Sequence, residues 1–352
     1  MSANEGTRGL SEAILEPELP IVDPHHHMWD RRPLPPAPLP DHPAAKAVGH
    51  LKRYMLDELA ADTRSGHNVV ATVYMECGFF AKADGPKAFR SVGETEAVNG
   101  VAAMSAAGVY GGFRACAGIV GHVELTLGDL AAEVLQAHVL AGGGRFRGVR
   151  NLAGWDEDPF VTWPIRAAPS LYLQEDFRRG FRHLAPLGLS FDAWVLEPQL
   201  GDVLDLARAF PETTIILNHL GAPLGLGRWA GTREARFPIW RRSMAELAGC
   251  PNVVVKVGGL GQAFTNFPSL LADPPVGSAQ LADEWRPYVE AAIELFGVDR
   301  CMFESNWPSD AGCGAYATIW NAFKRLAAGA TADEKTALFS GTARRVYRLE
   351  LP

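Results

Sequence analysis

The sequence predicts a single α/β domain, a closed (β/α)8 barrel of the TIM type, and three observations carry that prediction. Short β-branched or apolar runs recur eight times, stretches with helical spacing separate most of them, and the runs tend to end in polar or titratable residues. Nearly continuous apolar strands covered by amphipathic helices belong to a parallel sheet buried on both faces. Eight such units close a barrel, whose catalytic groups come from the carboxyl ends of the strands.

The eight runs are PIVDPH (20–25), NVVATVYME (68–76), FRACAGIVG (113–121), RFRGVRN (145–151), LSFDAWV (189–195), TTIILNH (213–219), NVVVKVG (252–258) and RCMFESN (300–306). Helical spacing is read at 53–62, 93–108, 196–210, 235–249 and 283–297. In 196–210, Leu200, Val203, Leu204, Ala207 and Phe210 fall at three- and four-residue steps, which gives one apolar face to lay on a sheet. A doubly wound open sheet is the competing architecture. Against it, no GxGxxG opens a helix after the first strand, and 145–151 is followed by Leu-Ala-Gly rather than a phosphate loop.

No Gly/Ser or acidic linker divides the chain, so residues 19–352 are read as one barrel domain. Residues 1–18, mostly small, polar and acidic, are expected to form a flexible arm. The proline-rich stretch 31–43 follows the first strand; it reads as a stiff extended loop over the barrel mouth, or else as a ligand for another protein.

Of the 352 residues, 47% are hydrophobic and 21% charged, the balance of a globular protein. The net charge of −7, with lysines and arginines dispersed, offers no footprint for nucleic acid or an anionic membrane. Five cysteines (77, 116, 250, 301, 313) form no CxxC pair and read as reduced thiols. With no basic start followed by a long apolar stretch, and no run of bilayer length, the expectation is a soluble, cytoplasmic protein acting on a small-molecule substrate. A homodimer is the default assembly.

The strand ends supply the chemistry: His25, His27, Glu76, His122, Arg150, Asp192, His219, Lys256, Glu304 and Asn306. Side chains alternate along a strand, so His25 and His27 point one way and His26 the other. Two imidazoles on one side can share a divalent ion or a substrate carbonyl, and His219 closes another strand toward the same mouth. Arg150 either binds a substrate carboxylate through its fork of donors or pairs with Glu76 or Asp192. His122 either lines the pocket or caps its own turn. Trp29, Trp155, Trp194 and Trp307 are placed near the mouth, as walls for a flat, partly apolar ligand or as packing.

Taken in this order, VDPHHHMWD, FRGVRN, LNHLGAP, VVVKVGGLG and MFESNWPSD make the chain resemble the amidohydrolase superfamily. The similarity is to its amidohydrolase-related, lactonase-like branch, which includes fuconolactonases and pyrone-dicarboxylate lactonases, and it runs from about residue 20 to 349. It implies the barrel and hydrolysis of a cyclic ester. His25 and His27 match the HxH of the first strand, and His219 the sixth-strand histidine. Trp194 stands where the superfamily often has a fifth-strand histidine, which argues against a binuclear metal centre. Asn306 stands where the superfamily has a water-activating aspartate, and an amide cannot serve as general base.

Glu304, on the face of Asn306 by the period of two, is the replacement: base or metal ligand, or else a buried carboxylate neutralised by Lys256 or an arginine. Asn306 then holds water or substrate, and Asp310 is the reserve acid. The expected catalytic set is His25, His27, His219, Glu304 and Asn306, with Glu76, His122, Arg150, Trp194 and Asp310 as substrate contacts. One divalent ion, zinc, would sit on His25, His27, His219 and Glu304; alternatively the histidines donate directly to the developing oxyanion without a metal. The expected function is hydrolysis of a small carboxylated lactone or related cyclic ester. The alternatives are a metal-dependent nonoxidative decarboxylase of an unsaturated or aromatic acid, and an inactive barrel acting as a binding protein.

Overall fold

All eight expected strands form, and each runs parallel to its neighbour in chain order. The computed structural model describes residues 12–34 and 40–351. The strands are β1 (Pro20–His26), β2 (Asn68–Met75), β3 (Arg114–Gly121), β4 (Phe146–Leu152), β5 (Ser190–Trp194), β6 (Ile215–Leu217), β7 (Val253–Gly258) and β8 (Cys301–Glu304). The ring closes just past β8, where His26 bridges Trp307 and the His27 amide donates to the Trp307 carbonyl at 2.7 Å.

Among the described residues, one helix of seven or more residues follows each strand: α1 (Leu56–Thr63), α2 (Val92–Ala106), α3 (Ala131–Ala141), α4 (Glu175–Phe181), α5 (Leu200–Ala209), α6 (Arg233–Ala248), α7 (Ser278–Phe296) and α8 (Tyr316–Leu326). On α5, Leu200, Val203, Leu204 and Ala207 are buried as the spacing predicts. The helix expected from residue 53 starts later. Arg53–Tyr54 instead pair with Trp29–Asp30 in a short antiparallel ladder, and Glu58 accepts from the Met55 amide at 2.9 Å to begin α1.

Strand alternation sorts side chains into two layers. Ile21, Phe191, Val255 and Phe303 face the helices. Val22, Val73, Ile216, Val254 and Met302 fill the barrel floor, plugged from below by Val346, Tyr347 and Leu349. The same alternation carries Asp192, Lys256 and Glu304 to the inside, above that apolar floor.

Of the arm expected at 1–18, residues 1–11 lie outside the described residues, as do 35–39 of the proline-rich loop. Residues 12–16 are tied down: Glu12 accepts from the Ser278 amide at 2.6 Å, and Lys324 donates to the carbonyls of Leu15 and Glu16 at 2.7 and 2.8 Å. No helix among the described residues is long and apolar enough to cross a membrane. The five thiols are unpaired, four of them buried.

Asp62 on α1 accepts from the Tyr54 hydroxyl at 2.9 Å and the Trp307 indole at 2.8 Å, and burial raises its carboxyl from 3.8 to about 6. A raised pKa means that the folded state holds the proton more tightly than the unfolded chain. The resulting stabilisation is complete below pH 3.8 and lost as pH rises through about 6. Asp62→Asn keeps an acceptor for both donors and is expected to remove that decline. Urea unfolding should show the variant gaining on wild type by on the order of 1–3 kcal/mol above this window, and pH-independent differences would contradict the assignment.

Candidate active site

Alternation along β1 does not run unbroken, and the break makes the site. Val22 faces the barrel interior, and strict alternation from it would turn His26 inward. Instead the three steps from Asp23 to His26 span only the two from Thr72 to Tyr74 on β2. This bulge adds one residue and shifts the phase, with Pro24 in the irregular stretch where no ladder donor is needed. His25 and His27 therefore point in. His26 points out, with Nε2 2.9 Å from Thr72 Oγ1 and its ring edge-on to Tyr74. Asp23 anchors the bulge to the end of β8: Oδ1 accepts from the amides of His25 (3.3 Å) and Ser305 (3.1 Å), and Oδ2 from the hydroxyls of Ser305 (2.5 Å) and Tyr316 (3.1 Å).

Glu304 lies wholly buried between two imidazoles. Its Oε1 accepts from the His219 amide at 3.2 Å and lies 2.6 Å from His219 Nδ1. Its Oε2 lies 2.7 Å from His25 Nδ1, but off the line of a ring N–H, so that oxygen has no hydrogen-bond donor, and neither has His219 Nε2 a partner. Two glycines make room. A Cβ on Gly258, paired with Glu304 across the β7–β8 ladder, would meet Glu304 Cγ at 2.6 Å; one on Gly259 would meet His219 Nδ1 at 2.1 Å. His219 sits in a turn where His219, Leu220 and Ala222 all have positive φ (53°, 56° and 49°). Such backbone costs about 1–3 kcal/mol per residue and aims the ring at Glu304.

The ring protons do not balance. His27 Nδ1 donates to the Met75 carbonyl at 2.9 Å, so its Nε2 carries a lone pair, 3.2 Å from His25 Nε2. If His25 donates from Nε2, its Nδ1 lone pair faces the Glu304 carboxylate. If it donates from Nδ1, two Nε2 lone pairs face each other. An extra proton would resolve either case, yet burial first, then Lys256, holds His25 well below the usual histidine range, and burial, then Arg150, does the same to His27. A divalent cation would balance these lone pairs and the carboxylate. His25, His219 and Glu304 each offer a ligand atom, all within 4.8 Å of one another, and neutral imidazoles with a carboxylate are a donor set for a divalent ion.

The neighbouring charges are already matched. Arg150 Nε donates to Glu76 Oε1 at 2.8 Å, while NH1 lies 3.3 Å from His25 Nε2. Lys256 Nζ is 2.8 Å from Asp192 Oδ1 and 3.4 Å from His25 Nδ1. Asp192 also accepts from Asn218 Nδ2 (2.9 Å) and the Tyr347 hydroxyl (3.0 Å), which joins the site to the floor plug. Lys256 is thus paired with Asp192, and Glu304 is left to the imidazoles.

The remaining expected residues divide between two adjoining cavities and the core. A cavity of about 240 Å³ is lined by His27, Arg150, Trp194 and His219. A second, of about 490 Å³, is lined by Glu76 and His122, and the two share Cys77, Leu152, Pro164 and Ile165. His122 lines its cavity while its Nδ1 lies 3.2 Å from the Arg150 carbonyl. Asn306 does not continue the alternation of β8: the strand ends at Glu304, and Asn306 has φ of 50°. Its Nδ2 donates to Asp310 Oδ1 at 2.6 Å, and Asp310 Oδ2 accepts from the Gly261 amide at 2.9 Å. Burial pushes the Asp310 carboxyl well up. Trp307, expected at the mouth, is instead wholly buried against Tyr316, because the same turn sends it behind the strand. Trp155 is 41% exposed. Asp23 was not singled out from the sequence, although an acid two residues before an HxH pair marks it.

A family model described as amidohydrolase matches residues 22–349. The chain belongs to the amidohydrolase family. It is an amidohydrolase-related hydrolase. Among its relatives, the uncharacterized protein y4mH of Sinorhizobium fredii is 34% identical over 94% of this chain and 99% of its own. An L-fucono-1,5-lactonase of Burkholderia multivorans is 31% identical over 67% of this chain and 73% of its own. A solved amidohydrolase from Burkholderia multivorans with bound zinc superposes with a TM-score of 0.68, at 25% identity, over 94% of this chain and 99% of that one.

In this amidohydrolase, Gly259 combines φ of 66° with the close approach of His219. Gly259→Ala is expected to lower stability by more than about 1 kcal/mol, because alanine fits neither the dihedral nor the space. Thermal unfolding measures this, and an unchanged midpoint would mean that the His219 ring is not held against that glycine.

Proposed function

We propose that this amidohydrolase opens a small carboxylated lactone, or a related cyclic ester, by adding water across the ring ester bond. Glu304 Oε2 carries the assignment: a buried carboxylate oxygen without a donor, beside two imidazoles, beneath a small cavity. Similarity to a fuconolactonase and to a zinc-bound amidohydrolase supports it. His25, His219 and Glu304, with His27 alongside, would hold one divalent ion, and zinc suits nitrogen and carboxylate donors. Such an ion, when bound, supplies Lewis acidity at the ester carbonyl and acidifies water.

The chain's own residues divide the rest of the work. Where Glu304 serves as base rather than as a metal ligand, it takes a proton from the attacking water at Oε2, since Oε1 is engaged by His219. As water oxygen bonds to the carbonyl carbon and the ring C–O bond breaks, that proton passes to the departing ring oxygen, and a hydroxy acid leaves. Asn306 holds water or a substrate hydroxyl through Oδ1, which is buried without a partner, while Asp310 fixes the amide from its other end. Trp194, Leu152 and Ile165 form the apolar wall that keeps bulk water from the ring.

On a panel of carboxylated lactones followed by acid release, Glu304→Gln is expected to lower kcat by about 10²–10⁴. Unchanged turnover would remove Glu304 from the role of base. Elemental analysis of protein purified without chelator is expected to find about one divalent ion per chain, and less in His219→Ala. A metal-free preparation that stays fully active in chelator would overturn the metal assignment.

A further inference from the structure

The 240 Å³ cavity at the site has one cationic side chain, Arg31, that no carboxylate answers among the described residues. Arg31 and Arg150 line it, and no aspartate or glutamate does. Arg150 is committed to Glu76. Arg31 sits half-buried directly after the short Trp29–Asp30 strand, its guanidinium stacked 4.4 Å from the centre of the Trp29 ring. Among the described residues, no carboxylate pairs with it. The nearest acid in sequence, Asp30, is taken by Arg32 through Nε at 2.8 Å and NH2 at 2.5 Å. Stacking occupies the face of a guanidinium and leaves its edge donors free in the plane, the geometry that grips a carboxylate with two parallel hydrogen bonds. The neighbouring 490 Å³ cavity carries both signs, with Glu76, Glu94, Glu124 and Arg166 in its wall, Glu76 being paired with Arg150 and Glu94 accepting from the Tyr74 hydroxyl and three backbone amides. In the smaller cavity an anionic substituent meets Arg31 and no carboxylate.

We propose that Arg31 is the specificity-determining residue of this site, binding a carboxylate carried by the substrate on the side of the ring away from the reacting ester. This rests on the lactone reading for the reaction, but not for the binding. A cavity of 240 Å³, below the about 300–1,000 Å³ of pockets for drug-sized ligands, suits one small ring with one such substituent.

Binding without turnover tests it. Calorimetric titration of the full chain with isophthalate and with 3-carbamoylbenzoate, which exchanges one carboxylate for a neutral amide, should give tighter binding of the diacid by about 10- to 100-fold, the worth of a charge-assisted pair. In Arg31→Gln that preference should vanish, and in Arg31→Lys it should return in part, because an ammonium restores the charge without the fork. A preference that persists in Arg31→Gln, or that is absent from wild type, overturns the proposal. A folding defect in Arg31→Gln would weaken both ligands alike and leave the Arg31→Lys comparison to decide. If the preference follows Arg31 while no lactone is hydrolysed, the proposed reaction fails and the carboxylate site stands. If lactones are hydrolysed without that preference, the reverse holds.

Discussion

Glu304, wholly buried and flanked by the imidazoles of His25 and His219, is the contact around which the upper barrel is arranged. A carboxylate can stand there only if the opposite strand leaves it space, and Gly258 does so. His219 can reach it only from a turn in which three non-glycine residues take left-handed dihedrals. Gly259 removes the side chain that would collide with the ring. His25 can reach it only because β1 gains a residue before its histidines. Strain of this kind persists where surrounding hydrogen bonds over-determine the conformation, and here the His219 amide, its ring and the Asp23 network all do so.

Two closed ion pairs frame that contact. Buried pairs are favourable only with good geometry and further hydrogen bonds. Lys256–Asp192 has both, with Asn218 and Tyr347 adding donors to the aspartate, while Arg150 reaches both the side chain and the backbone carbonyl of Glu76. Each cation also lies within 3.4 Å of His25 and opposes its protonation. Neutral imidazoles retain the lone pairs that a metal ion or a polarised substrate can use. Tyr347 brings the C-terminal plug into this arrangement, so the floor of the barrel and the floor of the site are one packed unit.

Outside this cup the cleft changes character over a short distance. Its inner cavity has aromatic and aliphatic walls with two arginines; the outer one has three glutamates, Arg166 and His122. The inner cavity thus presents cationic donors and no carboxylate, and the outer one charges of both signs. Arg150 and Glu76 stand at the border, each lining a different cavity while paired with the other.

The sequence by itself determined the eight strands and their parallel order, because strand periodicity and helix amphipathicity are local patterns written into neighbouring residues. It also told Glu304 from Asn306, since a carboxylate and an amide differ in chemistry wherever they lie. Only the tertiary structure decided the phase of His25 and His27, set by a bulge that exists relative to β2. It likewise decided the burial of Trp307, the Asn306–Asp310 bond and the isolation of Arg31 beside Trp29. Those depend on register and on what other strands and loops bring within a few ångströms, distances that spacing along the chain does not encode.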